Sequence, residues 1–104
     1  MSTTDQMGEF ISLQEASEMT ARYRENIQPG ETTAAAVSNN IIRRIINQDN
    51  CTGLRMYFAV NSSGSRTLVI VGVDELGNDI TDGLIANKMG NNPPIGSEDN
   101  PLNS

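Results

Sequence analysis

Histidine is missing from all 104 residues of this chain. Its absence removes Ser-His and Cys-His catalytic pairs and the commonest transition-metal ligand together. Cysteine occurs once, at Cys51, so no disulfide can close within the chain and no cysteine-based zinc site exists. Tryptophan is absent too, and two Tyr and two Phe make an aromatic share of only 4%. The core must therefore be built from Ile, Val, Leu and Met. Basic residues are scarce: 7 Lys and Arg face 13 Asp and Glu, for a net charge of −6. Such an acidic protein lacks the basic surface that supplies most nucleic-acid affinity, so nucleic acid is not an expected partner. No apolar run approaches a membrane span, and the N-terminal stretch lacks the pattern of a signal peptide. The expectation is a cytoplasmic domain with no membrane partner.

Gly53 to Val73 carries the strongest pattern. Leu54, Met56, Phe58 and Val60 alternate with Arg55, Tyr57 and Ala59, the period of two of a half-buried strand. Asn61-Ser62-Ser63-Gly64-Ser65 suits a hairpin turn, with Gly64 free to take positive φ. In the second run Leu68 and Ile70 point one way and Val69, Val71 and Val73 the other. A strand apolar on both faces belongs in the middle of a covered sheet.

Before the hairpin, residues 1–11 are polar and read as a flexible N-terminus. Ser12 with Glu15 forms a capping box for a helix whose stripe is Leu13, Ala16, Thr20, Tyr23 and Ile27. Gln28-Pro29-Gly30 ends it. Thr32 or Thr33 can cap a second helix over Ala34 to Gln48, with Val37, Ile41, Ile42, Ile45 and Ile46 on one face and Arg43 and Arg44 on the other. Ile41, Ile45, Phe58 and Ile70 are expected in one core. After the hairpin, Asp74 to Asp79 reads as a turn, and Ile80 to Met89 fits either a short helix or an irregular third strand, of which the doubly apolar second run favours the strand. The expected fold is α+β: two N-terminal helices packed on a small antiparallel meander of two to three strands. Residues 12–90 form the single domain, and residues 91–104 an extended Pro- and Asn-rich tail.

Candidate chemistry is sparse. Arg55 and Tyr57 share a strand face, with Arg66 across the hairpin; an Arg–Tyr patch can hold an anion or a partner's aromatic group. The same residues equally suit a solvated sheet face. Cys51 follows a helix C-terminus, where the field disfavours a thiolate, and reads as a small apolar residue. Asp74, Gly77, Asn78, Asp79 and Asp82 invite a calcium reading, but their spacing does not match a calcium loop and does match turn chemistry. No catalytic residue, metal site or cofactor is implied. A carboxylate enzyme using Asp74 and Asp79 is the least favoured alternative.

Four segments carry a family resemblance: ISLQEASEMTARYREN at 11–26, IIRRIINQDNCTGLRMYFAV at 41–60, TLVIVGVDELGNDI at 67–80, and the terminal NPLNS. With their CxGLRxYY-like and LVxVGVDxxGND-like strings, they resemble a family of small uncharacterised proteins of Bacteroidetes-type bacteria. Many of its members carry a C-P-P-x-C pair near the tail. Here Asn92-Pro93-Pro94-Ile95-Gly96 stands in that place, so no metal or redox role carries over. The resemblance implies no assigned activity. The functional expectation is an interaction or structural module that forms a homodimer through a sheet face or edge strand. A small-ligand or anion binder using Arg55, Tyr57 and Arg66 is the alternative.

Overall fold

The computed structural model describes residues 3–104. Met1 and Ser2, the start of the expected flexible N-terminus, lie outside the described residues. In chain order a 3-10 turn (Thr3–Gln6) is followed by α1 (Leu13–Arg24), β1 (Ala34–Ala36), α2 (Asn39–Ile46), β2 (Gly53–Val60), β3 (Arg66–Val73), β4 (Ile85–Ala86) and β5 (Gly90–Asn92). These make an α+β fold with two antiparallel sheets, one ordered β2-β3-β4 and the other pairing β1 with β5.

The doubly apolar run is the central strand. β3 pairs with β2 in full register from Gly53↔Val73 to Val60↔Arg66, and with β4 through Ile70↔Ala86 and Val71↔Ile85. A bridge between Val73 and Asp79 begins the third strand, and the loop 81–84 interrupts it before β4. Of the two alternatives for Ile80 to Met89 the strand is the one present, and only Ile85–Ala86 of that span pairs with β3.

Both reversals around β3 use one device. Asn61 Oδ1 accepts from the backbone N–H of Ser63 at 3.0 Å and of Ser65 at 2.9 Å. Asp74 Oδ1 accepts likewise from Leu76 at 3.0 Å and Asn78 at 2.9 Å. In each loop the fourth residue is a glycine at positive φ, 87° for Gly64 and 83° for Gly77. An acceptor on a short side chain replaces backbone pairing within the loop, and glycine takes the left-handed turn without a Cβ clash.

The core sits on either side of β3. Ile45, Ile70, Val71 and Val73 are its buried apolar side chains. Gly72 lets α2 approach: a Cβ there would lie 2.9 Å from Cys51 Sγ and 3.4 Å from Ile45 Cγ2. Gln48 fastens the same corner. Its Nε2 donates to Ile45 O at 2.9 Å, and its Oε1 accepts from Leu84 N at 2.7 Å.

Three expectations need correction. The second helix starts at Asn39, capped by Ser38 Oγ, because Ala34–Ala36 is taken up as β1 against β5. Phe58 is not in the core: it is 94% exposed, and Ile41 is half-buried. The shortened helix explains this, since eight residues span about 12 Å as a helix against roughly 27 Å as a strand. α2 therefore covers the Ile70–Gly72 end of its sheet face and leaves the Phe58 end open. Finally, since two helices can cover only one face of β3, the expectation is that the face bearing Val71 and Val73 stands open for a second copy, and it does not. Those valines are 3% and 2% exposed, beneath a polar cover described below.

Beyond the sheet, the C-terminal segment runs back to α1. Arg24 donates to Leu102 O and Ser104 O, each at 2.6 Å. β5 crosses the boundary drawn between domain and tail, since it begins at Gly90 and pairs with β1.

Candidate functional site

Two features stand out on β2, one on each face. On the face shared with Val71 and Val73, Arg55 and Tyr57 lean across the central strand to one carboxylate, Asp79. Arg55 Nη1 donates to Asp79 Oδ1 and the Tyr57 hydroxyl donates to Asp79 Oδ2. Arg55 Nη2 also donates to Gly77 O at 3.1 Å. The register makes this possible. Asp79 pairs beside Val73, two strands from Arg55, a gap that a guanidinium on its long stem can bridge. The three side chains lie as a polar cover over the buried valines, and Thr4 extends it, bonded through Oγ1 to Thr52 Oγ1 at 2.7 Å.

The electrostatics follow from these bonds. The Tyr57 hydrogen bond, with Arg55 added, holds the Asp79 carboxyl below the ordinary carboxylate value, and partial desolvation opposes it. Tyr57 is pushed up, chiefly because its proton is committed to Asp79. Arg55 is raised, first by its bond to Asp79. A neutral phenol and a guanidinium both donating to one ionised carboxylate form a closed set. None of the three has a charge left over for a ligand.

The other face of β2 presents Met56, Phe58 and Val60, all exposed. Beside them lies a groove of about 640 Å³, walled by Phe58, Val60 and Leu68 on one side and by Tyr23, Ala34 and Ala35 on the other. β2 is also an edge strand, with no neighbour on its outer side among the described residues. The direction of its free groups follows from β3. Gly72 O, Leu68 O and Arg66 O are taken by Ile80 N, Asn87 Nδ2 and Thr32 Oγ1 on the side away from β2. The odd-numbered residues of β3 therefore face β2, and through the register the odd-numbered residues of β2 face β3. Leu54, Met56, Phe58 and Val60 turn their N–H and C=O groups outward.

The residues expected to act together are only partly brought together. Arg55 and Tyr57 share Asp79. Arg66 lies opposite Val60, five residues along the strand, roughly 17 Å away. There it pairs with Glu31 at 3.2 Å on the groove's rim. Asp74 and Asp79 are likewise apart in role: one caps a turn and the other holds the polar cover. The Cys51 thiol is half-buried and donates to Gly53 O at 3.3 Å. Sequence reasoning did not find Asp79 as the partner of Arg55 and Tyr57, nor Tyr23, Ala34 and Ala35 beside Phe58. Asp79 had a signal, being a charged residue placed directly after a glycine turn and beside a buried strand. The groove had none, because it depends on where α1 and β1 are set. No helix among the described residues is long and apolar enough to cross a membrane. Compared with protein-family models, with curated proteins and with solved structures, this chain finds no match in any of the three.

Proposed function

We propose that this chain is a small interaction module without catalytic activity, which receives a protein strand along the outer edge of β2. The observation that carries this is Phe58: a large aromatic, 94% exposed, on a strand whose outer edge has no neighbour among the described residues. Soluble proteins blunt such edges with charge, proline, bulges or cover. Here the sole charge on β2, Arg55, is turned inward to Asp79. Met56 and Val60 extend Phe58 into a continuous apolar strip, the kind of surface that marks an interaction site. The anion-binding alternative has less support, because Arg55 is already engaged and Arg66 is remote from it. The carboxylate-enzyme alternative is weaker still, because Asp74 and Asp79 both serve internal bonds.

The module is taken to have both helices on the Phe58 side of the meander. Support comes from Ile45 of α2, packed at Gly72, and from Tyr23 of α1, which faces Phe58 across the groove. It is taken to be cytoplasmic, in keeping with its free Cys51 thiol, and akin to the small bacterial family that its sequence resembles.

Hydrogen exchange tests the edge. At the lowest concentration that mass spectrometry can follow, the amides of Met56, Phe58 and Val60 should exchange much faster than those of Arg55 and Tyr57. Slow exchange of both sets at every dilution would mean that the chain itself covers the edge, and the proposal would fall.

A further inference from the structure

The partner strand itself can be specified, resting on the interaction-module reading above. We infer that the β2 edge is filled by the β2 strand of a second copy, antiparallel, with a twofold axis at Tyr57. Strand pairing through free edges is a general mode of protein association, and a twofold makes one surface serve both partners. What selects a second copy here is the self-complementarity of β2.

Only residues with outward backbone groups can form the new hydrogen bonds, and these are Leu54, Met56, Phe58 and Val60. An antiparallel copy centred on Tyr57 pairs Leu54 with Val60 and Met56 with Phe58, each twice. Every outward N–H and C=O from Leu54 to Val60 then finds a partner. All four pairs are apolar and lie on the Phe58 face of the sheet, with Leu54 half-buried at the end that α2 covers, and Met56 against Phe58 adds a sulfur–aromatic contact. On the other face Arg55 meets Ala59, so the two arginines stand at opposite ends of the junction. A centre one residue further toward the N-terminus than Met56 would set Arg55 against Arg55.

Charge supports the same occupant. Two copies of a chain of net charge −6 repel each other, and contact is least opposed where no net charge stands. β2 is such a place: it carries no acid, and its one arginine is neutralised by Asp79 within each copy. The groove supplies depth that a bare strand pair lacks. Phe58 lines it, and across the axis the partner's strand brings further apolar side chains up to its mouth. A stable interface covers about 800 Å² per partner, so the pairing needs apolar contacts beyond the strand edge, and the groove beside Phe58 is where they are available.

Light scattering over a dilution series, from nanomolar to tens of micromolar, is the first measurement. The expected mass is twice 11.2 kDa at the upper end, falling toward the single-chain mass on dilution. Phe58→Glu should hold the single-chain mass throughout; because Phe58 lies outside the core, its circular dichroism should stay unchanged. Register is read by disulfide trapping in a Cys51→Ala background. Met56→Cys mixed with Phe58→Cys should give the crosslinked heterodimer, whereas Met56→Cys alone should crosslink poorly. Facing Cα atoms in such a pair lie about 5.5 Å apart, within disulfide reach. A single-chain mass at every concentration overturns the inference. So does a Phe58→Glu variant that keeps the doubled mass, or trapping in which Met56→Cys alone is the efficient species. If the mass stays single while the Met56, Phe58 and Val60 amides exchange fast, the edge is open and its partner is another protein. If those amides are slow in a single chain, the module reading fails as well.

Discussion

Asp79 is the residue on which the polar side of the sheet turns, and its protonation sets a pH window. Its folded pKa lies below the ordinary carboxylate value, chiefly through the Tyr57 hydroxyl. The folded state then binds fewer protons than the unfolded chain. Its contribution to stability is therefore complete above the ordinary value of about 4 and is lost as pH falls through the lowered folded value. Tyr57 runs the other way. Its folded pKa is raised, mainly by the bond to Asp79, so its contribution is complete below the ordinary value of about 10 and is lost as pH rises through the raised one. Tyr57→Phe should move the Asp79 titration midpoint, followed by carboxyl NMR, upward toward that of a free carboxylate. It should also remove the tyrosine part of the alkaline loss. An unmoved Asp79 midpoint would show that the phenol is not the dominant cause. Since Arg55 and Tyr57 are partly exposed, the acid and alkaline losses should be modest and should shrink with salt.

At the scale of elements, the seam between α2 and β3 is the tightest joint, and Gly72 is its hinge point. A Cβ at Gly72 would stand 2.9 Å from Cys51 Sγ and 3.2 Å from Gln48 Nε2. Gly72→Ala should thus lower stability by about 1–3 kcal/mol, the usual range for overpacking. Cys51→Ala, which removes the nearest atom, should recover part of that loss. Chemical denaturation of the two single variants and the double variant would show the coupling, and strictly additive losses would exclude this contact. The seam also shows what was legible in the sequence. The β2–β3 hairpin was, because alternation, a turn with glycine at its fourth place and a doubly apolar second run all point one way. The start of α2 was not. Ala34–Ala36 has the highest helix propensity of any residue run here, yet it pairs with Gly90–Asn92, a choice set by chain more than fifty residues away. The open position of Phe58 follows from that shortening and so was equally hidden. Arg55 and Tyr57 could be seen to share a face, but their common partner Asp79 could be named only once the register of a third strand was known.

Over the whole molecule, packing is uneven, and this should appear in how the fold opens. The radius of gyration is 15.3 Å, against about 13 Å for a compact domain of this length. Burial is concentrated at Ile45, Ile70, Val71 and Val73, all in α2 and β3. α1 has no buried residue, and β1 and β5 offer Ala, Gly and Asn in place of large apolar side chains. What holds α1 outside its own turns is polar: Arg24 to the carbonyls of Leu102 and Ser104, and the Tyr23 hydroxyl to Thr32 O at 3.3 Å. Exposed hydrogen bonds of this kind contribute little net free energy, and an element with no fully buried side chain is the first to open. Native-state hydrogen exchange should therefore resolve two tiers. Amides of β3 should exchange only through global unfolding, with a strong dependence on denaturant. Those of α1 should exchange at least about a hundredfold faster with almost no such dependence, as expected of local opening. Arg24→Ala should speed the α1 tier further and leave the β3 tier unchanged. If instead α1 and β3 exchanged at one rate with one denaturant slope, the helix and the sheet would form a single cooperative unit. The loose outer layer described here would then be wrong.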